Sequence, residues 1–241
     1  MWTPSALASE FRPYRRRVWR IVEAQHRIST NRLADTLEDQ AILEQLAEAV
    51  KPQIPRAARG LHFLLASPFR YGHRSPSRFR RADERPGIFY ASEHEETALA
   101  ETAYWRLVFL SRSPGLASPR TTSEHSSFCV RVAVSRMLDL TRPPFAARRD
   151  CWTSDNYGEC QSLATAARTA DCMAIRYESA RDPGRRANLA LLDPAGFAGQ
   201  APTPDKTWHL RIEGQTVIAL AAFPSSLQLR YSAAGFGVTL A

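Results

Sequence analysis

The sequence predicts an α+β fold, and three observations predict it. Phe128, Val130, Val132 and Val134 alternate with Cys129, Arg131 and Ala133, the period-two pattern of a strand. Leu37, Ala41, Leu43, Leu46, Ala47 and Val50 recur at helical spacing. The strand-like and helix-like segments then follow one another irregularly, unlike the regular alternation of a parallel α/β sheet.

Taken in order, residues 1–60 read as a mostly helical N-terminal extension packed on a core domain of residues 61–241. Thr36-Leu37-Glu38-Asp39 has a threonine cap and acids in the first turn. Lys51-Pro52 ends that helix, because the residue before a proline avoids the α region. Leu61 to Ala66 is a short apolar run, expected as a buried strand. Arg70 to Pro86 is polar, basic and rich in turn formers, and loops of that length in compact domains are usually functional or disordered. Ile88 to Ala91 is expected as a strand. Ser92 and Glu95 have capping-box spacing and open a helix running to about Val108. Thr97, Glu101, Tyr104 and Trp105 fall near one face of it. Ser111 to Ser126 reads as a loop, and Pro143-Pro144 interrupts regular structure. Asp155 or Asn156 caps a helix to about Arg168, with Leu163, Ala164 and Ala167 inward. Met173 to Tyr177 and Ala187 to Leu192 are strand-like, with a basic connection between them. Trp208 to Ile212 and Thr216 to Ala222 form a hairpin around Glu213-Gly214, and Leu227 to Tyr231 adds a last strand.

A chain of 241 residues buries a substantial core in one or two domains. No apolar run approaches the ~20 residues that span a membrane, and Met1 to Glu10 lacks the pattern of a signal peptide. The expected location is the cytoplasm. The net charge is +8, and Lys51 and Lys206 are the only lysines. Arginine-rich chains can bind nucleic acid, but arginine codons are GC-rich and coding bias gives the same composition. The densest cluster, Arg12, Arg15, Arg16, Arg17 and Arg20, alternatively suits an acidic partner. Four cysteines, at 129, 151, 160 and 172, form no Cys-x-x-Cys pair and the histidines are scattered, so no metal is expected and the thiols should be free.

Chemistry concentrates between Phe69 and Glu101. Arginine forks suit phosphates, aromatic rings stack on flat bases, and a carboxylate beside a ribose stabilises an oxocarbenium-like state. Arg78, Arg80 and Arg81 are close rivals for a phosphate or ribose clamp, and each is also readable as an exposed surface arginine. Tyr90 ends a strand and either stacks on a ligand or anchors a sheet edge. Glu101 sits among Ala98, Ala100, Ala103 and Tyr104 on a helix, either lining a site or paired with an arginine.

Pro68-Phe69-Arg70-Tyr71, Ser77-Arg78-Phe79-Arg80, Gly87-Ile88-Phe89-Tyr90-Ala91-Ser92 and Thr97-Ala98-Leu99-Ala100-Glu101 resemble the RES domain family, the toxins of bacterial toxin–antitoxin pairs. A second block agrees in order: Tyr157, Gln161, Leu163, Ala164, Arg168, then Ile175-Arg176-Tyr177-Glu178-Ser179-Ala180-Arg181 and Asn188. Together they cover roughly residues 61 to 195. The resemblance implies a core similar to ADP-ribosyltransferase toxins, with small packed, mixed or mostly antiparallel sheets and helices around them. It implies cleavage of the nicotinamide–ribose bond of NAD⁺, with water, phosphate or a protein side chain as acceptor. It makes Glu101 the ribose-binding carboxylate, Arg78 the clamp and Tyr90 the nicotinamide platform. Ser179 would bond the ribose or a phosphate without acting as a nucleophile. Arg20 and the Arg70-Tyr71 pair compete for a second arginine position, and Asn188 and Gln161 are weaker candidates. The implied partner is a cognate antitoxin, a small Xre-like helix-turn-helix protein that blocks the cleft, so that any nucleic acid is reached only through it. The alternatives are a mono-ADP-ribosyltransferase acting on a host-cell protein and a non-catalytic arginine-rich nucleic-acid-binding protein.

Overall fold

The computed structural model describes residues 2–24, 36–113 and 121–239. Six α-helices, α1 (Pro4–Ala8), α2 (Leu37–Ala49), α3 (Phe63–Arg70), α4 (Glu95–Ser111), α5 (Arg149–Thr153) and α6 (Gly158–Thr169), combine with eight strands. The strands are β1 (Arg12–Glu23), β2 (Phe89–Ser92), β3 (Thr122–Asp139), β4 (Ala174–Glu178), β5 (Ala187–Leu191), β6 (Thr203–Glu213), β7 (Thr216–Ala221) and β8 (Gln228–Ser232). The class is α+β. The sheet order is β1-β2-β5-β4-β3-β6-β7-β8, and β1 also pairs with β3. That extra pairing closes the first five strands into a ring, from which β6–β7–β8 extends. Every pairing is antiparallel except β3 with β4.

The ring closes because β1 is a strand, which corrects the helical reading of the N-terminal extension. Arg12 to Glu23 pairs with β3 from Arg12↔Met137 to Glu23↔His125. Tyr14 and Val18 point into the core while Arg15 and Arg17 stay exposed. Aromatic and β-branched residues favour this pleated setting, and arginines line its outer face with their heads in water. The extension is therefore built into the core sheet over this stretch. Helix is found in the extension in the short α1 and in α2, which Thr36 caps by accepting the Asp39 N–H. Its apolar positions do not pack, since Leu37, Leu46 and Val50 are 85, 60 and 84% exposed.

Leu61 to Ala66, expected as a strand, belongs instead to α3 and its lead-in. His62 Nδ1 accepts the Leu64 N–H at 3.3 Å, and Leu65, Ala66 and Phe69 turn inward. A short apolar run does not reveal its period. Residues 122–126, expected as loop, begin the long β3. The β6–β7 hairpin forms as expected, with Glu213 opposite Thr216 and Gly214 at φ +54° in the turn.

Three cores hold these layers together. One lies between the sheet and α5–α6, around Phe79, Leu138, Phe145, Trp152, Leu163 and Ile175. A second fills the ring with Val18, Leu65, Phe69, Phe89, Phe128 and Val132. In the third, Leu99, Ala103 and Leu107 seat α4 on Trp208, Leu210 and Val217 of the β6–β7 hairpin. Each buried leucine there stabilises the seat by about 1.5–3 kcal/mol. Glu101 and Trp105 are thereby carried on a fixed element.

Candidate active site

A cleft of about 230 Å³ opens where β1 and β2 part. Those strands share a single residue pair, Trp19↔Ser92. The walls bring together Arg20 of β1, Arg78 of the 71–88 loop, Tyr90 of β2, Glu101 and Trp105 of α4, Tyr157 before α6, and Asn188 of β5.

Glu101 is held from below. Ser179 Oγ donates to Glu101 Oε1 at 2.6 Å, and Asn188 Nδ2 donates to the same oxygen at 2.7 Å. Asn188 Oδ1 in turn accepts from Ser92 Oγ at 2.6 Å. Ser179 is itself locked, because its Oγ accepts the N–H groups of Arg181 and Asp182 at 3.1 Å each. Both Glu101 contacts fall on Oε1, so Oε2 keeps its acceptor capacity. The expected capping box at Ser92–Glu95 is absent: His94 is the N-cap, Ser92 is spent on Asn188, and Glu95 accepts from Ser127, Trp208 and Lys206.

The loop carrying Arg78 is stiffened by its own neighbours. Phe79 N–H donates to the Tyr90 hydroxyl at 3.1 Å, and that hydroxyl lies 2.9 Å from Ser77 Oγ. Gln161 Nε2 donates to the Ser77 and Arg80 carbonyls. Arg80, the rival clamp, is buried and spent on the carbonyls of His73, Ser75 and Arg81. Gly87 closes the loop against α3, where a Cβ would meet the Pro68 carbonyl oxygen at 1.9 Å. Arg78 Nη1 donates to the Trp152 and Ser154 carbonyls at 2.7 Å each, and its guanidinium lies 5.0 Å over the Tyr157 ring. Burial pushes the Tyr90 hydroxyl up to about 12, against the opposing bonds from Ser77 and Phe79, so it stays protonated at neutral pH.

Arg20 contrasts with Arg78. Its guanidinium lies 5.0 Å over Phe89, and its buried Nη1 has no hydrogen-bond partner. Burial lowers it to about 10, which leaves it charged at neutral pH. A buried charged donor without a partner is costly, and an anion in the cleft would satisfy it. The Arg70-Tyr71 pair lies elsewhere. Arg70 Nη1 bridges to Glu48 of α2 at 2.6 Å and its Nε donates to the Pro52 carbonyl.

Of the residues singled out from sequence, Arg20, Arg78, Tyr90, Glu101 and Asn188 line the cleft, and Ser179 supports Glu101 from behind. Arg70 and Tyr71 do not line it. Trp19, Tyr177 and Arg181 were not singled out but line it as well. Arg181 stands 3.6 Å over the Tyr104 ring and pairs with Asp155. Its place two residues after Ser179 was the available signal.

The RES domain model matches residues 53–213. The chain belongs to the RES domain family. Arg20 and Trp19 precede the matched span and are brought to the cleft by β1, which pairs with β3 along its length and with β2 at Trp19. No curated protein matches the chain. Among solved structures it is similar to a chain of the M. tuberculosis MbcT–MbcA toxin–antitoxin complex, at 11% identity over 86% of this chain and 92% of that one, with a TM-score of 0.48.

Proposed function

We propose that this protein is the toxin of a bacterial toxin–antitoxin pair and consumes NAD⁺ by breaking its nicotinamide–ribose bond. The observation that carries the reading is a buried, unpartnered Arg20 donor in the same cleft as an oriented carboxylate, Glu101. In this reading Arg20 and Arg78 meet the pyrophosphate, and Tyr90 flanks the nicotinamide. Glu101 Oε2 accepts from the ribose hydroxyls. As the C1–N bond breaks, its electron pair passes to the ring nitrogen and neutralises the pyridinium. Positive charge develops on the ribose carbon, and the Glu101 carboxylate stabilises it. Water then adds at that carbon and loses a proton, giving ADP-ribose, or phosphate adds and gives the 1-phosphate. Ser179 and Asn188 orient the carboxylate and do not attack. A helix-turn-helix antitoxin covering the cleft would silence the enzyme in the cytoplasm.

Nicotinamide release from NAD⁺ by the purified chain, with and without phosphate, tests this. Glu101→Gln keeps the Ser179 bond and the shape but removes the charge, and kcat is expected to fall about 10²-fold or more. Turnover by folded Glu101→Gln at the wild-type rate would falsify the assignment.

A further inference from the structure

The cleft has walls of two unlike kinds. At one, Tyr90 and Tyr177 are buried or half-buried, and the Tyr90 hydroxyl is already bonded to Ser77 and Phe79. At the other, Trp105 leaves its indole 51% exposed while lining the same cleft. Trp105 lies one turn beyond Glu101 on α4, a rise of roughly 6 Å along the helix axis. Tyr104 meets its ring edge-on at 5.3 Å and 73°, which fixes the indole from the side. Trp19 lines the same cleft and is pinned by its Nε1–H donating to Asp205 Oδ2 at 3.0 Å. Its chain neighbour is Arg20, whose donor is unpartnered. The cleft thus holds enclosed tyrosines, an oriented carboxylate, an unpartnered cationic donor and a half-exposed indole.

We propose that Trp105, with Trp19 beside it, is the stacking platform for the purine of the dinucleotide and sets the preference for a whole dinucleotide over a mononucleotide. This rests on the NAD⁺ reading above. The small nicotinamide suits the enclosed tyrosine wall, which puts the ribose it leaves at Glu101. The pyrophosphate then falls to Arg20, and the purine reaches the half-exposed indole. Stacking recognises the face of the base and needs no polar partner. That accounts for an aromatic held in place yet uncovered. Phe109, one turn further and also exposed, does not line the cleft.

The test compares NAD⁺ with nicotinamide mononucleotide, which carries the scissile bond but no adenosine. For Trp105→Ala the ratio of kcat/KM for NAD⁺ to that for the mononucleotide is expected to fall about tenfold or more. Trp105→Phe, which keeps a ring, should restore most of that ratio. A ratio that stays at the wild-type value in folded Trp105→Ala overturns the platform. If wild-type protein releases nicotinamide from neither compound, the catalytic reading has failed, and the platform is tested by titrating AMP and ADP-ribose against tryptophan fluorescence. Binding that Trp105→Ala abolishes and Trp105→Phe keeps then supports it. Absent binding, or binding indifferent to Trp105, overturns it.

Discussion

At the scale of single residues, the two cleft arginines divide the work by what surrounds them. Arg78 is tied to two backbone carbonyls and a tyrosine ring, so it is placed before any ligand arrives. Arg20 is half-buried, and its buried Nη1 has no hydrogen-bond partner, so folding leaves that donor uncompensated. Arg20→Met keeps the length of the side chain and removes the charge. NAD⁺ affinity is expected to fall by roughly 10- to 100-fold, the worth of a charged hydrogen bond, while Tm holds or rises because a desolvation cost disappears. Isothermal titration with a non-hydrolysed dinucleotide beside a thermal melt separates the two effects, and a large drop in Tm would show that Arg20 is a structural cation. Sequence made Glu101, Arg78 and Tyr90 legible because they sit close together on consecutive local elements. It left Arg20 and Arg70 as rivals, because the choice depends on a pairing between β1 and β3 more than a hundred residues apart in the chain.

Among the elements, the 71–88 loop is the one whose order is least expected from its composition. It is polar and basic, yet Arg80, Gln161 and Tyr90 bond its backbone from three sides. Its return past α3 depends on Gly87. Gly87→Ala places a Cβ against a backbone oxygen that no rotamer change can move. The expected cost is roughly 2–4 kcal/mol, read as a lower urea midpoint, with Arg78 displaced and nicotinamide release reduced in parallel. A midpoint equal to wild type would mean that the loop closes some other way. The helix and strand periods were legible where the pattern was long, as in β3 and α4. They failed at β1, where arginines mask the alternation, and at α3, where a short apolar run fits either period.

For the whole molecule, carboxylates that stitch distant elements set the acid limit of stability. Asp182 is pushed up by burial, but bonds from Arg186, Thr97 and the Gly184 N–H outweigh that and hold it at about 2. Glu93 is likewise pushed up by burial and pulled down further by Arg176 and Tyr14. Both folded values lie below the ordinary ones. Their stabilisation is complete above the ordinary carboxylate range and is lost as pH falls through the folded values. Thermal melts should therefore show Tm falling from about pH 4.5 toward pH 2, and Asp182→Asn, though less stable at neutral pH, should lose less over that interval. An unchanged pH slope in Asp182→Asn would assign the acid sensitivity to other groups.

The joint between β1 and β2 is one residue pair wide, and one half of that pair is Ser92. The cleft thus works as a clasp. Widening it sacrifices on the order of one or two hydrogen bonds, each worth about 1 kcal/mol, and leaves the long β1–β3 ladder intact. The seam beside the cleft is thus far weaker than the sheet that carries it. Ser92 is also the first link in the chain through Asn188 to Glu101. One serine therefore sits both in the seam between β1 and β2 and in the bonds that orient the carboxylate.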